Sequence, residues 1–315
     1  MKAPLPQLSM GLKSFTANDP GGWSQMFAAA RAADAAGVDR LVVSDHVVFG
    51  ERLEEYAKPE LGGQAGGVQP TGPDGHWLEP LTTLSVIAGM TSKVRLGTNI
   101  LQAALRRPVV LAKSAATLDV LSGGRLDLGV GVGWQREEYE AAGLRFEGRG
   151  RLLDHTLEVC QALWREQRAA YRAPELQFEA IHLSPKPLQP GGVPIWVSGT
   201  IRRTTVSRLA RFGMGWIPWG PEAADLKNSI PRMKDELAKA GRDIPDLQVV
   251  GHIPVVKGAD GNMDLARTME RLPALAEAGV TDFRGNFPLP DAAAAAEDRL
   301  RQIVVAFRAA VGRKA

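Results

Sequence analysis

Short apolar runs that alternate with helical segments constrain the fold of this chain more than any other feature. Most of these runs are continuously apolar, which is typical of strands buried on both faces of a parallel sheet. There are eight of them, and the strands they predict are 7–13, 40–44, 94–100, 126–132, 195–198, 216–219, 247–256 and 281–287.

Helical segments with one apolar face lie between the runs, as expected for helices that pack on a sheet. The clearest are 23–36, 80–90, 109–121 and 152–164, and a last helix carries Leu300, Ile303, Val304, Phe307 and Val311. Glycine is expected to end helices here because it adopts the left-handed conformation without a Cβ clash. Glycines at such joints are Gly37, Gly123, Gly124, Gly213 and Gly279. The repeat predicts an α/β fold, a single (β/α)₈ TIM barrel, and an open doubly wound sheet is the alternative.

Two segments interrupt this repeat. The first, 47–79, follows the second strand and is rich in Gly and Pro. It is too long for a plain connection, so it is predicted to be either a functional lid or a mobile loop. The second, 171–192, precedes the fifth strand and is predicted to be an irregular insertion. No linker is visible, so residues 1–315 are expected to form one domain.

Composition excludes several classes of protein. Lys and Arg number 38 and Asp and Glu 35, so the net charge is only +3, and the charges are mixed along the chain, which disfavours a nucleic-acid partner. No apolar run reaches the roughly 18 residues of a membrane span. One cysteine, Cys160, excludes an internal disulfide framework and favours a cytoplasmic location. Five histidines without metal-ligand spacing predict no metal site.

The active site of such a barrel lies at the C-terminal ends of its strands. Asp45 and His46 end the second strand, and an imidazole there titrates near neutral pH and can transfer a proton. We expect the adjacent carboxylate of Asp45 to hold the imidazole or raise its pKa. The alternative is that Asp45 caps the following segment and His46 is a polar residue of the rim.

Glycines and arginines near other strand ends suggest contacts with a cofactor. Gly129, Gly131 and Gly133 either let a flat cofactor approach the backbone or fill the narrowing barrel. The turn 198–200, followed by Arg202 and Arg203, presents hydroxyls, exposed N–H groups and positive charge, which suit a phosphate; a simple helix cap is the alternative.

A second pair of arginines lies at the start of another helix. Arg106 and Arg107 precede Pro108, and we expect this pair and the turn 198–200 to reach one extended anionic ligand from neighbouring strand ends.

Aromatic residues are candidates for a substrate pocket. His76 and Trp77 lie late in segment 47–79, where they either close over a planar ligand or pack against the barrel rim. Trp219, at the end of the sixth strand, is a further candidate. Structural roles are expected for His155, His252 and Cys160, and His182 lies away from the strand ends.

Six blocks of the sequence match one family as a set. They read VVSDH at 42–46, VRLGTNIL at 94–101, PVVLAK to LSGGR at 108–125, LGVGVGW to REEY at 128–139, LSPKP at 183–187 and PIWVSG at 194–199. Together they resemble the bacterial luciferase-like flavin and deazaflavin oxidoreductases over about residues 5 to 220. Within that family the chain looks most similar to the branch that uses coenzyme F420.

The resemblance implies a (β/α)₈ barrel with the cofactor ring at its C-terminal mouth. It implies that His46 acts as proton donor or base beside the ring, with Asp45 next to it. It also implies that the bulge at Asn99–Ile100, with a non-proline cis peptide, lies against the back of the ring. By the same resemblance, the remaining cofactor contacts are Gly131, Gly133, Trp134, Ser198, Gly199 and Thr200.

The resulting hypothesis is an F420-dependent oxidoreductase that transfers hydride between the deazaflavin and a small organic substrate, with a homodimer as the expected assembly. The first alternative is an FMNH₂-dependent monooxygenase of the same fold. More distant alternatives are a non-redox barrel enzyme with a phosphate substrate, disfavoured because no Lys or paired carboxylates stand at the strand ends, and a cofactor-binding protein without turnover.

Overall fold

A computed structural model describes residues 5–314, and its centre is a closed barrel of eight parallel strands. The strands are β1 Gln7–Gly11, β2 Arg40–Val43, β3 Arg95–Thr98, β4 Leu126–Val130, β5 Ile195–Gly199, β6 Gly213–Pro218, β7 Gln248–Ile253 and β8 Asp282–Gly285. Strand β1 pairs with both β2 and β8, which closes the sheet. The TIM barrel is thereby confirmed, and the open doubly wound sheet is wrong.

Helices surround the barrel between successive strands. They are α1 Ser24–Ala36, α2 Pro80–Met90, α3 Pro108–Leu121, α4 Arg136–Ala141, α5 Arg149–Arg165, α6 Arg203–Phe212, α7 Pro221–Ala224, α8 Leu226–Lys239, α9 Leu265–Met269, α10 Leu272–Glu277 and α11 Ala293–Ala310. The predicted apolar faces are buried: Leu84 and Ile87 of α2 and Leu300 of α11 are 0% exposed. Burying such a side chain contributes roughly 1.5–3 kcal/mol, so these faces hold the helices on the sheet.

Gly213 ends its helix differently from the other predicted glycines. Gly37, for example, has a φ of 85°, in the left-handed region. Gly213 has a φ of −84° and begins β6 in an extended conformation, so the expected left-handed cap is wrong there. A Cβ at position 213 would lie 2.3 Å from the Leu209 side chain, so close packing is the reason for a glycine at this joint.

Both interrupting segments are more ordered than their composition suggests. Segment 47–79 contains two 3₁₀ turns and the short strand His76–Trp77, which pairs with Phe15–Thr16. Within 171–192, the expectation of a wholly irregular insertion is wrong, because Ala169–Arg172 and Gln177–Ile181 form an antiparallel hairpin. Its polar residues are largely exposed, which concealed the strand pattern in the sequence.

Over the described residues, 5–314, no helix is long and apolar enough to cross a membrane. The same residues contain no group of three or more His, Cys, Asp or Glu side chains arranged to hold a metal ion. Burial raises the pKa of the Cys160 thiol well above its usual range, as expected for a packed side chain.

Candidate active site at the barrel mouth

The ends of β2, β3 and β4 bring His46 and the chain around Trp134 into one aromatic pocket. The imidazole of His46 is 11% exposed and lies 4.4 Å from the ring of Phe49 and 4.8 Å from that of Trp77, centroid to centroid. Trp134 lies 6.1 Å from the same imidazole. His46 is therefore confined on several sides by aromatic rings but still reaches the mouth.

The acid that holds His46 is Glu138 of α4. Nδ1 of His46 lies 3.1 Å from Glu138 Oε2, and the backbone N–H of Val47 donates to the other carboxylate oxygen at 2.8 Å. Glu138 itself is 1% exposed. This contact fixes the orientation of the imidazole, and it leaves Nε2 as the ring nitrogen that can exchange a proton.

Asp45 does not hold His46, so that expectation is wrong. Its carboxylate forms a bidentate pair with Arg106, with Nη1 to Oδ2 at 2.6 Å and Nη2 to Oδ1 at 3.0 Å. Arg106 also donates to Glu79 Oε1 at 2.9 Å. The guanidinium is saturated by two carboxylates, so Arg106 is poorly placed to bind a separate anion.

Gln102 connects the loops that follow β2, β3 and β4. Its backbone N–H donates to Asp45 Oδ2 at 2.8 Å, and its side-chain Nε2 donates to Glu138 Oε2 at 2.9 Å. Gln102 thus couples the Asp45–Arg106 pair, through its backbone N–H, to the His46–Glu138 pair, through its side-chain amide. The family-like block 128–139 contained Glu138 and offered the signal for it, whereas nothing in the sequence marked Gln102.

The end of β3 forms the apolar side of the mouth. The peptide bond Asn99–Ile100 is cis, as the resemblance implies. The side chain of Ile100 packs with the interior residues Trp196, Ile217 and Val250. Asn99 Oδ1 accepts a hydrogen bond from Arg284 Nη1 at 2.8 Å, so β3 is tied to β8 across the barrel.

A buried ion network, not predicted from the sequence, fills the barrel beneath this site. Asp127 accepts from Arg40 at 2.9 Å and from Arg95 at 2.7 Å. Asp282 binds Arg40 at 3.0 Å and Arg284 at 2.8 Å, and Ser9 donates to it as well. Burial alone would raise the pKa of both carboxyls, but the arginines outweigh it, and both pKa values lie below the usual range.

The glycines at the end of β4 and just after it are required by close packing. A Cβ at Gly131 would lie 2.8 Å from the Ile100 side chain, and one at Gly129 would lie 2.1 Å from the Thr98 carbonyl oxygen. Gly133 has a φ of 69°, and a Cβ there would meet Gln102 at 1.8 Å. Packing accounts for all three glycines, and a cofactor contact at Gly131 and Gly133 stays a prediction.

Segment 47–79 is folded down over the rim. Trp219 Nε1 donates to the carbonyl of Gly63 at 2.9 Å, and Arg149 Nη2 donates to that of Leu61 at 2.6 Å. Trp77 is stacked on Phe15 at 4.2 Å, whereas His76 is exposed. Trp77 and Trp219 therefore shape the mouth, and the contact of substrate with these residues and with His76 stays a prediction.

The turn after β5 faces an unexpected carboxylate. Helix α6 begins without a side-chain cap, and its flanking Arg202 and Arg203 are exposed, as an anion site requires. However, Glu222 Oε1 accepts from the backbone N–H of Ile201 at 3.3 Å. Arg106 and Arg107 follow β3, and β4 separates β3 from β5, so the expectation of neighbouring strand ends is wrong.

Two buried polar atoms near the mouth have no hydrogen-bond partner among the described residues. Trp134 is 4% exposed, and its Nε1–H has no hydrogen-bond partner among the described residues. Glu222 Oε2 is buried and equally without a partner there. A buried N–H without an acceptor is costly, and an acceptor-bearing ring seated against Trp134 would relieve that cost.

The sequence profile described as luciferase-like monooxygenase matches residues 10–303. An uncharacterised protein of Mycobacterium tuberculosis is 32% identical over 271 residues, covering 85% of this chain and 88% of that protein. An F420-dependent glucose-6-phosphate dehydrogenase of Segniliparus rotundus is 30% identical, covering 67% and 58%. Among solved structures, an F420-dependent secondary alcohol dehydrogenase bound to an F420–acetone adduct has a TM-score of 0.74 at 18% identity, covering 96% and 99%.

Proposed function

Because this chain belongs to the luciferase-like monooxygenase family, we propose that it is an oxidoreductase that uses the deazaflavin F420 to move hydride to or from a small organic substrate. The observation that carries the proposal is the imidazole of His46, held by Glu138 at 3.1 Å within an aromatic pocket at the barrel mouth. The names of the Segniliparus relative and of the dehydrogenase structure support F420 as the cofactor.

The residues at the mouth fit such a cofactor. Ile100 and the glycines around Gly131 would line its ring, and the N–H of Trp134 would find an acceptor on it. The turn Ser198–Thr200 and the arginines that follow would hold its phosphate. When bound, F420 supplies a two-electron carrier, and the protein supplies orientation and a proton.

In this proposal, residues of the chain transfer the proton to and from the substrate. Glu138 engages Nδ1 of His46, so Nε2 gives a proton to the substrate in one direction and takes it in the other. The rings of Phe49 and Trp77 exclude water from the imidazole. Segment 47–79, held to the rim by the hydrogen bond from Trp219, limits the access of solvent to the mouth.

Cofactor binding tests this proposal against its nearest rival, an FMNH₂-dependent monooxygenase of the same fold. The purified protein is titrated with F420 and with FMN, and fluorescence is followed. Saturable micromolar binding of F420 with none of FMN supports the proposal. Binding of FMN alone, together with oxygen consumption in the presence of FMNH₂, assigns the monooxygenase activity instead. Binding of neither compound contradicts both.

Glu222 is expected to weaken binding of the phosphate. Its carboxylate lies at the N–H of Ile201, where a phosphate oxygen would accept, so the two negative groups compete. Glu222→Gln is therefore expected to lower the F420 dissociation constant by about three- to tenfold. The matched control Glu270→Gln, on an exposed residue far from the turn, is expected to leave it unchanged. Weaker binding by Glu222→Gln contradicts this role.

We propose that the chain forms a homodimer through α2 and α3. Both helices carry apolar side chains that face solvent: Val86 is 46%, Val110 63% and Leu121 70% exposed. Exposed apolar side chains on two helices that contact each other are typical of a subunit interface. Light scattering should give about twice the 33.8 kDa of one chain. Val110→Glu should give the monomer mass, and a monomeric wild-type protein would contradict the proposal.

Localisation and domain organisation complete the proposal. The single buried thiol of Cys160 is consistent with the cytoplasm, where thiols stay reduced.

Residues 1–315 are proposed to form one domain, because the strands of the closed barrel and the helices around it lie along most of the chain, from β1 to α11.

A further inference from the structure

A second imidazole lies in the barrel mouth, contrary to the expectation that His252 is structural. His252 and Val250 occupy alternate positions of β7 and therefore share one face. Val250 packs inside the barrel with Trp196 and Ile217. His252 lies one layer higher on this interior face, and its side chain is open to solvent.

The surroundings of His252 favour a neutral imidazole. It is level with Arg284 of β8, and the carboxylate of Asp282 lies one layer below. Partial desolvation by the walls of the mouth lowers the pKa of His252, the charge of Arg284 lowers it further, and Asp282 opposes them. The neutral form of the imidazole is therefore favoured. Neither ring nitrogen forms a hydrogen bond with any described residue 5–314, although solvent reaches the ring.

The position of β7 separates His252 from the residues already assigned. Around the eight-stranded barrel, β7 lies four strands from β3, directly opposite the apolar wall at Ile100. It lies three strands from β2, which carries His46. The two imidazoles therefore reach the mouth from different walls, and only His46 is held by a carboxylate.

From this geometry we propose that His252 binds the oxygen atom of a neutral hydroxyl- or carbonyl-bearing substrate. The inference rests on the proposed function and extends it to the substrate class. A neutral imidazole has one N–H to donate to a carbonyl oxygen and one nitrogen to accept from a hydroxyl. Arg284, the nearest cation, is paired with Asp282 at 2.8 Å and with Asn99, so the wall favours a neutral ligand over an anion.

This role differs from that of His46 and predicts a different kinetic signature. His46 moves a proton, so its loss acts on turnover. His252 orients the substrate through a hydrogen bond present before and during the reaction, so its loss acts mainly on KM. Protonation of His252 at low pH would turn its accepting nitrogen into a donor, so an alcohol could then only accept a hydrogen bond from the ring. Any dependence of alcohol binding on this protonation should vanish without His252.

The experiment measures binding of 2-propanol and acetone as probes, both to the free protein and to the protein loaded with F420. The imidazole resonances of His252 are followed by NMR in isotopically labelled protein. We expect saturable shifts of His252 and a probe affinity about tenfold lower in His252→Leu, the effect of one lost hydrogen bond. His252→Asn should restore part of the affinity. The control His182→Leu, on an exposed residue away from the mouth, should match wild type.

The two proposals fail in different ways. If F420 does not bind to wild type, the proposed function fails, while the shifts of His252 in the free protein still report on this inference. If F420 binds but the probes leave His252 unshifted, or if His252→Leu binds them as tightly as wild type, the inference is overturned. A tenfold loss of F420 affinity in His252→Leu also overturns it, because His252 would then belong to the cofactor site.

Discussion

Replacing His46 by alanine is expected to lower turnover by at least ~100-fold, while the dissociation constant of F420 changes less than about twofold. A positioned general acid or base contributes this much because the proton otherwise comes from water. His46 is restrained by Glu138 at 3.1 Å and by three aromatic rings, so the proposed proton donor is held in place before substrate arrives. Steady-state kinetics and fluorescence titration measure the two quantities.

The partner of His46 offers a graded test. Glu138→Gln keeps the size of the side chain and its contact with Nδ1 but removes the charge, so a smaller loss of turnover, about tenfold, is expected. His182→Ala, on an exposed histidine away from the strand ends, is the matched control and should leave turnover unchanged. Wild-type turnover in His46→Ala would remove this residue from the mechanism.

Breaking the buried ion network is expected to have the largest effect on stability. Asp127→Asn removes a carboxylate, 2% exposed, that neutralises Arg40 and Arg95, so the buried Arg40 and the partly buried Arg95 lose their nearest anion. Removal of one partner from a buried pair costs about 3–5 kcal/mol. Urea unfolding of Asp127→Asn should show a midpoint well below that of wild type. Asp298→Asn, on an exposed residue of α11, should unfold like wild type.

The loss of stability in Asp127→Asn is also expected to depend on pH. The pKa of Asp127 and that of Asp282 are lowered in the folded protein, so both carboxyls stabilise it fully above their unfolded pKa of about 4. This contribution is lost as pH falls through the lower, folded pKa. The difference in unfolding midpoint between wild type and Asp127→Asn should therefore be largest at neutral pH and narrow below pH ~4. A difference independent of pH would exclude this origin.

The barrel could be predicted from the sequence because the hydrophobic patterns of its strands and helices are local. Each strand is an apolar run and each helix an apolar stripe, and both patterns are read within a few neighbouring residues. The hairpin within 171–192 was missed because its strands bury little, so its residues show no such pattern. The location of His46 at the mouth could also be predicted from the sequence, because the C-terminal ends of the strands lie together at one rim of the barrel.

Partners across the barrel were not predictable from the sequence alone. The acid that holds His46 lies 92 residues away, and proximity along the chain favoured Asp45 instead. Three members of the ion network, Arg40, Asp127 and Asp282, stand at the starts of apolar runs, where they resemble polar boundary residues. Their side chains meet inside the barrel only because of the register between the strands, which the sequence does not reveal. For the same reason the sequence alone does not place His252 at the mouth, because it does not say which face of β7 the residue occupies.

The attachment of segment 47–79 has a consequence for how this enzyme can diversify. Trp219 and Arg149 hold the segment by the carbonyl oxygens of Gly63 and Leu61, groups that every amino acid carries. Position 63 itself must stay glycine, since a Cβ there would lie 2.1 Å from the Tyr56 carbonyl oxygen. The remaining side chains of the segment take no part in these two anchors. Apart from Phe49, Trp77 and Glu79, which contact His46 or Arg106, side chains outside these anchors can change in related proteins while the segment stays attached.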